Sequence, residues 1–186
     1  MTHRESLEIL AAHRGNRIVV ATMGSVGLWP AISDTSLDFS YLPSSMGQGT
    51  PLGLGLSMAS KRGVIVISGD GSLLMNLGCL ITVANHSTSL AIVLIDNGLY
   101  EVTGGQDIAG AGRTDFAGIA RSAGIPNVFD FGDQDSWRSG AANALAATGP
   151  SFIRLKVAGE RGRSTPIAPR PMAEQIARLR HALATS

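Results

Sequence analysis

"SGDGSLLMNLGCLITVANHSTSLAIVLIDNGLYEVTGGQ", residues 68–106, decides how the chain is read. It leaves one apolar segment, passes through a helical pattern, and enters a second apolar run, "LAIVLI" (90–95), that ends in "DNG". Nearly continuous Val, Ile and Leu marks strands buried on both faces, as in a parallel sheet. Ligands of open parallel sheets bind beyond the carboxyl ends of the strands. Asp70 and Asn97 stand at those ends, each beside glycine.

The step from 70 to 97 holds one helix and one strand, so both side chains fall at one sheet edge. Neighbouring strands lie ~4.8 Å apart, within reach of a shared ligand. Taken singly, Asp-Gly and Asn-Gly are ordinary turns. Together, a carboxylate, an amide oxygen and a nearby backbone carbonyl suit one hard cation, leaving octahedral positions for phosphate oxygens and water, as magnesium is held. Gly69 and Gly71 let the backbone turn and approach a phosphate, and Ser72 is placed to cap the next helix. The N–H groups and positive dipole end of that helix would attract an anion.

Further strands are expected at "RIVVAT" (17–22), "GVIVIS" (63–68), "PNVFDF" (126–131) and "SFIRLKV" (151–157). Helical patterns fall near 24–31, 50–61, 72–86, 115–123, 134–148 and 171–184. The alternation predicts an α/β fold with a doubly wound parallel sheet in three α/β/α layers. It fills 1–186 as a single domain with a C-terminal connector and helix. In the helix at 50–61, Thr50 reads as the cap, Pro51 as the first helical residue, and Lys61, Arg62 and Gly63 as the close. Gly53 and Gly55 inside it each cost ~1 kcal/mol against alanine, offset by close packing on the sheet or by ligand contact. "TGGQDIAGAG" (103–112) reads as a mobile loop over a site, and "GERGRSTPIAPRP" (159–171) as an extended connector. In the final helix Ile176, Leu179 and Leu183 are spaced for one buried face.

With 186 residues and 44% hydrophobic content, the chain can bury a full core. A net charge of +1 and 16% charged residues, without a basic or acidic block, argue against nucleic acid and membrane surfaces as partners. The 23 glycines against 5% aromatics imply close backbone approaches, suited to a diphosphate-like ligand. The single cysteine, Cys79, lies on the apolar stripe of a helix and reads as a core thiol in a cytoplasmic protein. His3, Arg4, Glu5 and Glu8 stand where a signal peptide needs an apolar run, and no stretch approaches the ~20 residues of a membrane span. His3, His13, His86 and His181 match no metal or triad spacing and read as surface residues.

Gly69-Asp70-Gly71 followed by "IDNGLY" resembles the cofactor-binding motif of the thiamine diphosphate enzymes. The resemblance implies the fold of that family, with Mg2+ on Asp70, Asn97 and the carbonyl of Leu99, and the diphosphate on Gly69, Gly71, Ser72 and the Val102 amide. "SSMGQGTPLGLGLSMA" (44–59) is similar to the family segment in which a bulky apolar residue wedges between the cofactor's rings. That role falls on Met46, which alone would read as core filler, with the main chain of Ser44 and Met46 on the aminopyrimidine. "VVATMGSVG" (19–27) is similar to the family's other diphosphate contact, through Thr22, Gly24 and Ser25, although an ordinary strand-to-helix turn explains it equally.

The resemblance covers residues 15–157 and only the diphosphate-binding domain of the family. Through "DNGLYEVTGGQ" it runs to the beta chains of sulfopyruvate decarboxylase and the matching part of phosphonopyruvate decarboxylase. Asp96 replaces an Asn common in the family, outside the liganding position. The family's chemistry requires a glutamate against the pyrimidine ring, supplied from another domain. The glutamates here, at 5, 8, 101, 160 and 174, match no such motif. The resemblance therefore implies half an active site: a subunit of a 2-oxo acid decarboxylase, completed by a separate pyrimidine-binding chain that supplies the catalytic Glu, as α2β2. Glu101 and Thr103, with Gln106 nearby, follow the metal loop and are the candidates to face the reacting carbon; Glu101 reads equally as solvent-facing. Alternatives are a carboligase or oxo-acid synthase subunit of the same cofactor family, or a non-catalytic nucleotide-binding module. "GQGTPLG" (47–53) spaces its glycines as G-x-G-x-x-x-G and lacks a clear strand before it, unlike a dinucleotide loop.

Overall fold

The computed structural model of the chain describes residues 1–162 and 167–184. It opens with a helix that the sequence reading did not anticipate, α1 (His3–His13). Thr2 and Glu5 form a capping box, the Thr2 hydroxyl accepting the Glu5 N–H and the Glu5 carboxylate accepting the Thr2 N–H. His3, Ser6, Leu7 and Leu10, at spacings of three and four, form its buried face.

The strands are β1 (Ile18–Ala21), β2 (Asp38–Ser40), β3 (Val64–Gly69), β4 (Leu90–Asp96), β5 (Leu99–Tyr100), β6 (Gln106–Asp107), β7 (Asn127–Phe131) and β8 (Ser151–Lys156). Six of them make one parallel sheet in the order β2-β1-β3-β4-β8-β7. β5 and β6 form a separate antiparallel hairpin. The remaining helices are α2 (Gly49–Ala59), α3 (Asp70–Leu74), α4 (Cys79–Ala84), α5 (Phe116–Ser122), α6 (Gln134–Ala146) and α7 (Met172–Ala184).

Alternate side chains of each central strand enter opposite cores, which makes the sheet the middle of three layers. Ile18, Val20, Val64, Val66, Ile92 and Leu94 pack with Leu54 of α2, Leu80 of α4 and Ala120 of α5. Val19, Ile65, Ile67, Val93 and Ile95 pack with Leu7 and Leu10 of α1 and with Trp137 and Ala141 of α6. The Trp137 indole N–H is satisfied by the Ser6 carbonyl at 3.0 Å. The chain leaves β1 on one side for β2 and returns on the other for β3, so the strand order reverses between β1 and β3. That reversal opens a crevice at the carboxyl ends of these strands.

Several local expectations are corrected. The helix expected at 24–31 is two single 3-10 turns, Met23–Ser25 and Trp29–Ala31, because Gly24, Gly27 and Pro30 deny it a continuous run. The helix expected at 72–86 breaks at 75–78, where Asn76 and Gly78 are weak helix formers and the Asn76 amide donates to the Gly47 carbonyl at 3.1 Å. Thr50 does not cap α2: the helix starts at Gly49, Gln48 holds the cap position, and Thr50 is buried. The helix also ends at Ala59, before Lys61, Arg62 and Gly63.

Gly53 is explained by packing, since a Cβ there would stand 2.1 Å from Val66 Cγ2. Around Gly55 nothing lies within 4 Å. In α7 the buried face is carried by Gln175 and Leu179, while Ile176 is 43% exposed. Gln175 earns its burial by accepting the Ser40 N–H of edge strand β2 at 2.8 Å. Of the connector expected at 159–171, residues 163–166 lie outside the described residues.

Candidate cofactor site at the sheet switch point

A cavity lies over the carboxyl ends of β1, β3 and β4, with about 490 Å3 of space between its walls, part of it open to solvent. Thr22, Met23, Gly24 and Ser25 form one wall. Gly69, Asp70, Gly71 and Ser72 form the floor, and Asn97, Leu99, Tyr100, Glu101, Val102 and Thr103 the opposite wall. Met46 and His3 close the rim. Every site residue read from the sequence therefore lines one cavity, except Ser44, which stands outside it. Gln106 is outside as well, accepting from the Thr103 hydroxyl at 3.3 Å.

Asp70, 1% exposed, is held by two backbone donors: Gly71 N–H at 2.7 Å on one carboxylate oxygen and Gly98 N–H at 2.6 Å on the other. Gly98 can present its N–H because it adopts φ 76°, a left-handed conformation that suits glycine. Burial pushes the Asp70 carboxyl up to about 6, and the neighbouring Asp96 adds to the rise. Asp96, itself 4% exposed, is gripped by Arg154 at 2.6 Å and by Lys156 at 3.4 Å. The Asn97 side-chain oxygen accepts the Leu99 N–H at 2.9 Å, fixing the turn that carries the Leu99 carbonyl. A Cβ on Gly159 would meet the Asn97 carbonyl oxygen at 2.8 Å, so the chain after β8 braces this turn from behind.

This donor set fits a divalent cation shared with phosphate oxygens. It offers one carboxylate, one carboxamide oxygen and a carbonyl, and no cluster of three or more His, Cys, Asp or Glu exists among the described residues. So sparse a set is how magnesium is usually held, with the phosphates of a bound ligand completing the shell.

The hydroxyls on the walls are not equivalent. Thr22 donates its hydroxyl to the Ile67 carbonyl at 2.8 Å, so its proton is committed to the fold. Ser72 does not cap a helix: Gly69 holds that position, and the Ser72 oxygen accepts the Gly47 N–H at 2.9 Å, which leaves its own proton for a ligand. The Gly47 bond ties the Met46 loop to the floor. α3 is only one turn long, so its dipole contributes little and single amides matter more. A Cβ on Gly71 would lie 2.4 Å from Tyr100 Cε1, because the tyrosine ring covers this part of the floor.

Two features of the site, at His3 and Met23, escaped the sequence, and a third, at Glu101, was left open by it. His3 is 8% exposed, and its Nε2 lies 2.9 Å from Ser25 Oγ, which corrects its assignment to the surface. The capping box and the 3-6-7-10 spacing of α1 were the available signals. Met23 takes φ 47°, rare for a residue with a side chain, and no sequence signal marks it. Glu101 is 5% exposed with one oxygen accepting the Glu160 N–H at 2.8 Å, so the solvent-facing alternative is excluded. Cys79 is buried in the core as expected, and burial pushes its thiol up.

Residues 21–155 match the family described as "Thiamine pyrophosphate enzyme, C-terminal TPP binding domain". The chain is 38% identical over 156 residues to sulfopyruvate decarboxylase subunit beta of Methanothermobacter thermautotrophicus, covering 82% of this chain and 80% of that protein. It is 35% identical over 140 residues to phosphonopyruvate decarboxylase of Streptomyces hygroscopicus, covering 75% of this chain but only 35% of the relative. Among solved structures, benzoylformate decarboxylase from Polynucleobacter necessarius superposes with a TM-score of 0.76 at 18% identity, over 90% of this chain and 34% of that one, a likeness of fold alone. No helix among the described residues is long and apolar enough to cross a membrane. The chain belongs to the thiamine pyrophosphate enzymes and carries their C-terminal, thiamine pyrophosphate-binding domain.

Proposed function

We propose that this chain is the diphosphate- and magnesium-binding subunit of a two-component thiamine diphosphate-dependent 2-oxo acid decarboxylase of the sulfopyruvate or phosphonopyruvate kind. A separate pyrimidine-binding chain completes the site and supplies its glutamate, most simply as α2β2 in the cytoplasm. The observation that carries this reading is the convergence of Asp70 and Asn97 on one cavity at the β1/β3 reversal. The split into two components is supported by coverage, four fifths of a beta subunit against about a third of the phosphonopyruvate relative. Among the glutamates, only Glu101 lines the cavity, and it stands on the metal loop.

In this reading Asp70, Asn97 and the Leu99 carbonyl hold magnesium. Gly71, Ser72, Val102 and the Thr22–Ser25 turn receive the diphosphate, and Met46 props the rings. Thiamine diphosphate, when bound, supplies the electron sink that lets carbon dioxide leave a 2-oxo acid. The Gly71 and Gly98 amides hold the Asp70 carboxylate in one orientation before any ligand arrives, so binding needs little reordering there. Tyr100 over Gly71 screens the floor from water. In this reading Glu101 and Thr103 are the candidates of this chain to handle a proton near the reacting carbon.

Mixing the purified chain with its pyrimidine-binding partner, magnesium and thiamine diphosphate should release carbon dioxide from sulfopyruvate or phosphonopyruvate. Turnover by the chain alone at the rate of the mixture would sink the two-component reading. Condensation with an added aldehyde instead of aldehyde release would move it to the carboligases.

A further inference from the structure

We infer that His3 is a positioning residue for the diphosphate: it holds the Ser25 oxygen as an acceptor and thereby turns the Ser25 hydroxyl proton toward the anion. The inference rests on the cofactor reading above and concerns how this chain binds the anion. Three observations carry it. First, the cavity is short of positive charge. Its lining holds the carboxylates of Asp70 and Glu101 and no Lys or Arg, so His3 is the basic side chain on its walls among the described residues. A diphosphate with one magnesium ion remains anionic beside those carboxylates.

Second, the hydroxyls divide the work unequally. Thr22 has given its proton to Ile67, and Ser72 has accepted from Gly47 and keeps its proton for a ligand. With its oxygen 2.9 Å from His3 Nε2, Ser25 keeps its proton for a ligand in the tautomer in which the imidazole donates, and spends it on the imidazole in the other. In the Nε2–H form the imidazole donates, Ser25 accepts, and the serine proton is released toward the cavity.

Third, the imidazole is built into place rather than draped on the surface. The capping box of Thr2 and Glu5 fixes the first turn of α1, and the Met1 carbonyl accepts the Ala158 N–H at 3.0 Å from the chain beyond β8. Gly24 leaves the space between the walls open: a Cβ there would stand 3.6 Å from both His3 Cε1 and Glu101 Oε2. The positive φ of Met23 sets the turn that carries Gly24 and Ser25 to this point.

The test is calorimetric titration of the full chain with thiamine diphosphate at fixed magnesium. Wild type is compared with His3→Phe, His3→Gln, Ser25→Ala and the His3→Phe/Ser25→Ala double variant. His3→Phe fills the space without a donor and should weaken binding about tenfold or more, the worth of a charge-assisted hydrogen bond. His3→Gln can place an amide N–H near the position of Nε2 and should recover most of that loss. Ser25→Ala should lose a similar factor, and adding His3→Phe to it should cost little more, because the two act through one donor. Wild-type affinity in His3→Phe, equal loss in the Phe and Gln variants, or losses that multiply in the double variant would each overturn the assignment. Should His3→Phe fail to fold, an unchanged affinity in Ser25→Ala would overturn it alone. The wild-type titration tests cofactor binding itself, and carbon dioxide release tests the decarboxylase reading, so either can fail without the other.

Discussion

Protonation of Asp70 should contribute about 3 kcal/mol of stability to the metal-free chain on going from pH 8 to low pH, most of it gained by pH 4. Burial raises its carboxyl from 3.8 to about 6 in the folded chain, while the unfolded chain keeps the ordinary value. The folded state therefore binds the proton more tightly. The stabilisation is fully present below the unfolded value and is lost as pH rises through about 6. Roughly two units at ~1.4 kcal/mol each give the figure. Urea unfolding of metal-free wild type and Asp70→Asn at each pH from 4 to 8 isolates it, because the amide cannot titrate. The variant also leaves one of the Gly71 and Gly98 N–H groups facing an NH2, a fixed penalty of about 1–3 kcal/mol that shifts the difference curve without tilting it. The slope is thus the measurement. A difference between the proteins that stays flat with pH, or one in which wild type gains on the variant as pH rises, would refute the linkage. With magnesium and thiamine diphosphate present the sign of the burden reverses, since a cation favours the ionised carboxylate; their apparent affinity should fall toward tenfold per unit below about pH 6.

Gly55→Ala should stabilise the chain by up to ~1 kcal/mol, raising the melting temperature by about 2–4 °C, because the helix interior gains propensity where nothing stands within 4 Å; a loss of stability in a thermal melt would show that the α2 surface is not as described. Gly71→Ala should cost about 1–3 kcal/mol and weaken thiamine diphosphate binding in a titration, since its Cβ would meet the Tyr100 ring at 2.4 Å, and wild-type affinity would refute the ring's position. Arg154→Met should cost about 3 kcal/mol in urea unfolding, because Asp96 is buried and would keep only Lys156 at 3.4 Å, and a neutral result would mean that Asp96 is better solvated than its burial implies.

The sheet was legible because its central strands β1, β3 and β4 are buried on both faces and announce themselves as runs of Val, Ile, Leu and Ala. The metal loop was legible because two glycine-flanked polar residues sit one crossover apart. β2 was missed for the opposite reason: it is a three-residue edge strand that begins with Asp38, whose carboxylate serves Arg14 and Trp29. The break between α3 and α4 was missed because apolar periodicity continues through 75–78, while the Asn76 side chain serves a loop 29 residues away in sequence. His3 was missed because a histidine's role depends on what folds beside it, and its partner Ser25 is 22 residues away. Short-range capping signals could have recovered α1, but nothing short-range reports a positive φ at Met23.

The departures from local rules gather where the ligand would sit, and this concentration is itself physical support for the site. Met23 takes a conformation that favours glycine, Asp70 is buried against its charge, and the helix following it is cut to one turn. All three cost stability in the metal-free chain, and each exposes or aims a group toward one cavity. Away from it, the patterns of the central strands and the capping box of α1 agree with the fold, as minimal frustration requires, with Gly55 of α2 an exception. Arg14, near the opposite edge, shows the contrast. Its Nε is buried without a partner among the described residues, yet its guanidinium is tied to Asp38, Ser33, Thr35 and the Arg17 carbonyl, so it staples the end of α1 to β2. Strain with every group turned inward is structural, whereas strain that points groups into an open crevice is stabilised only when something binds there.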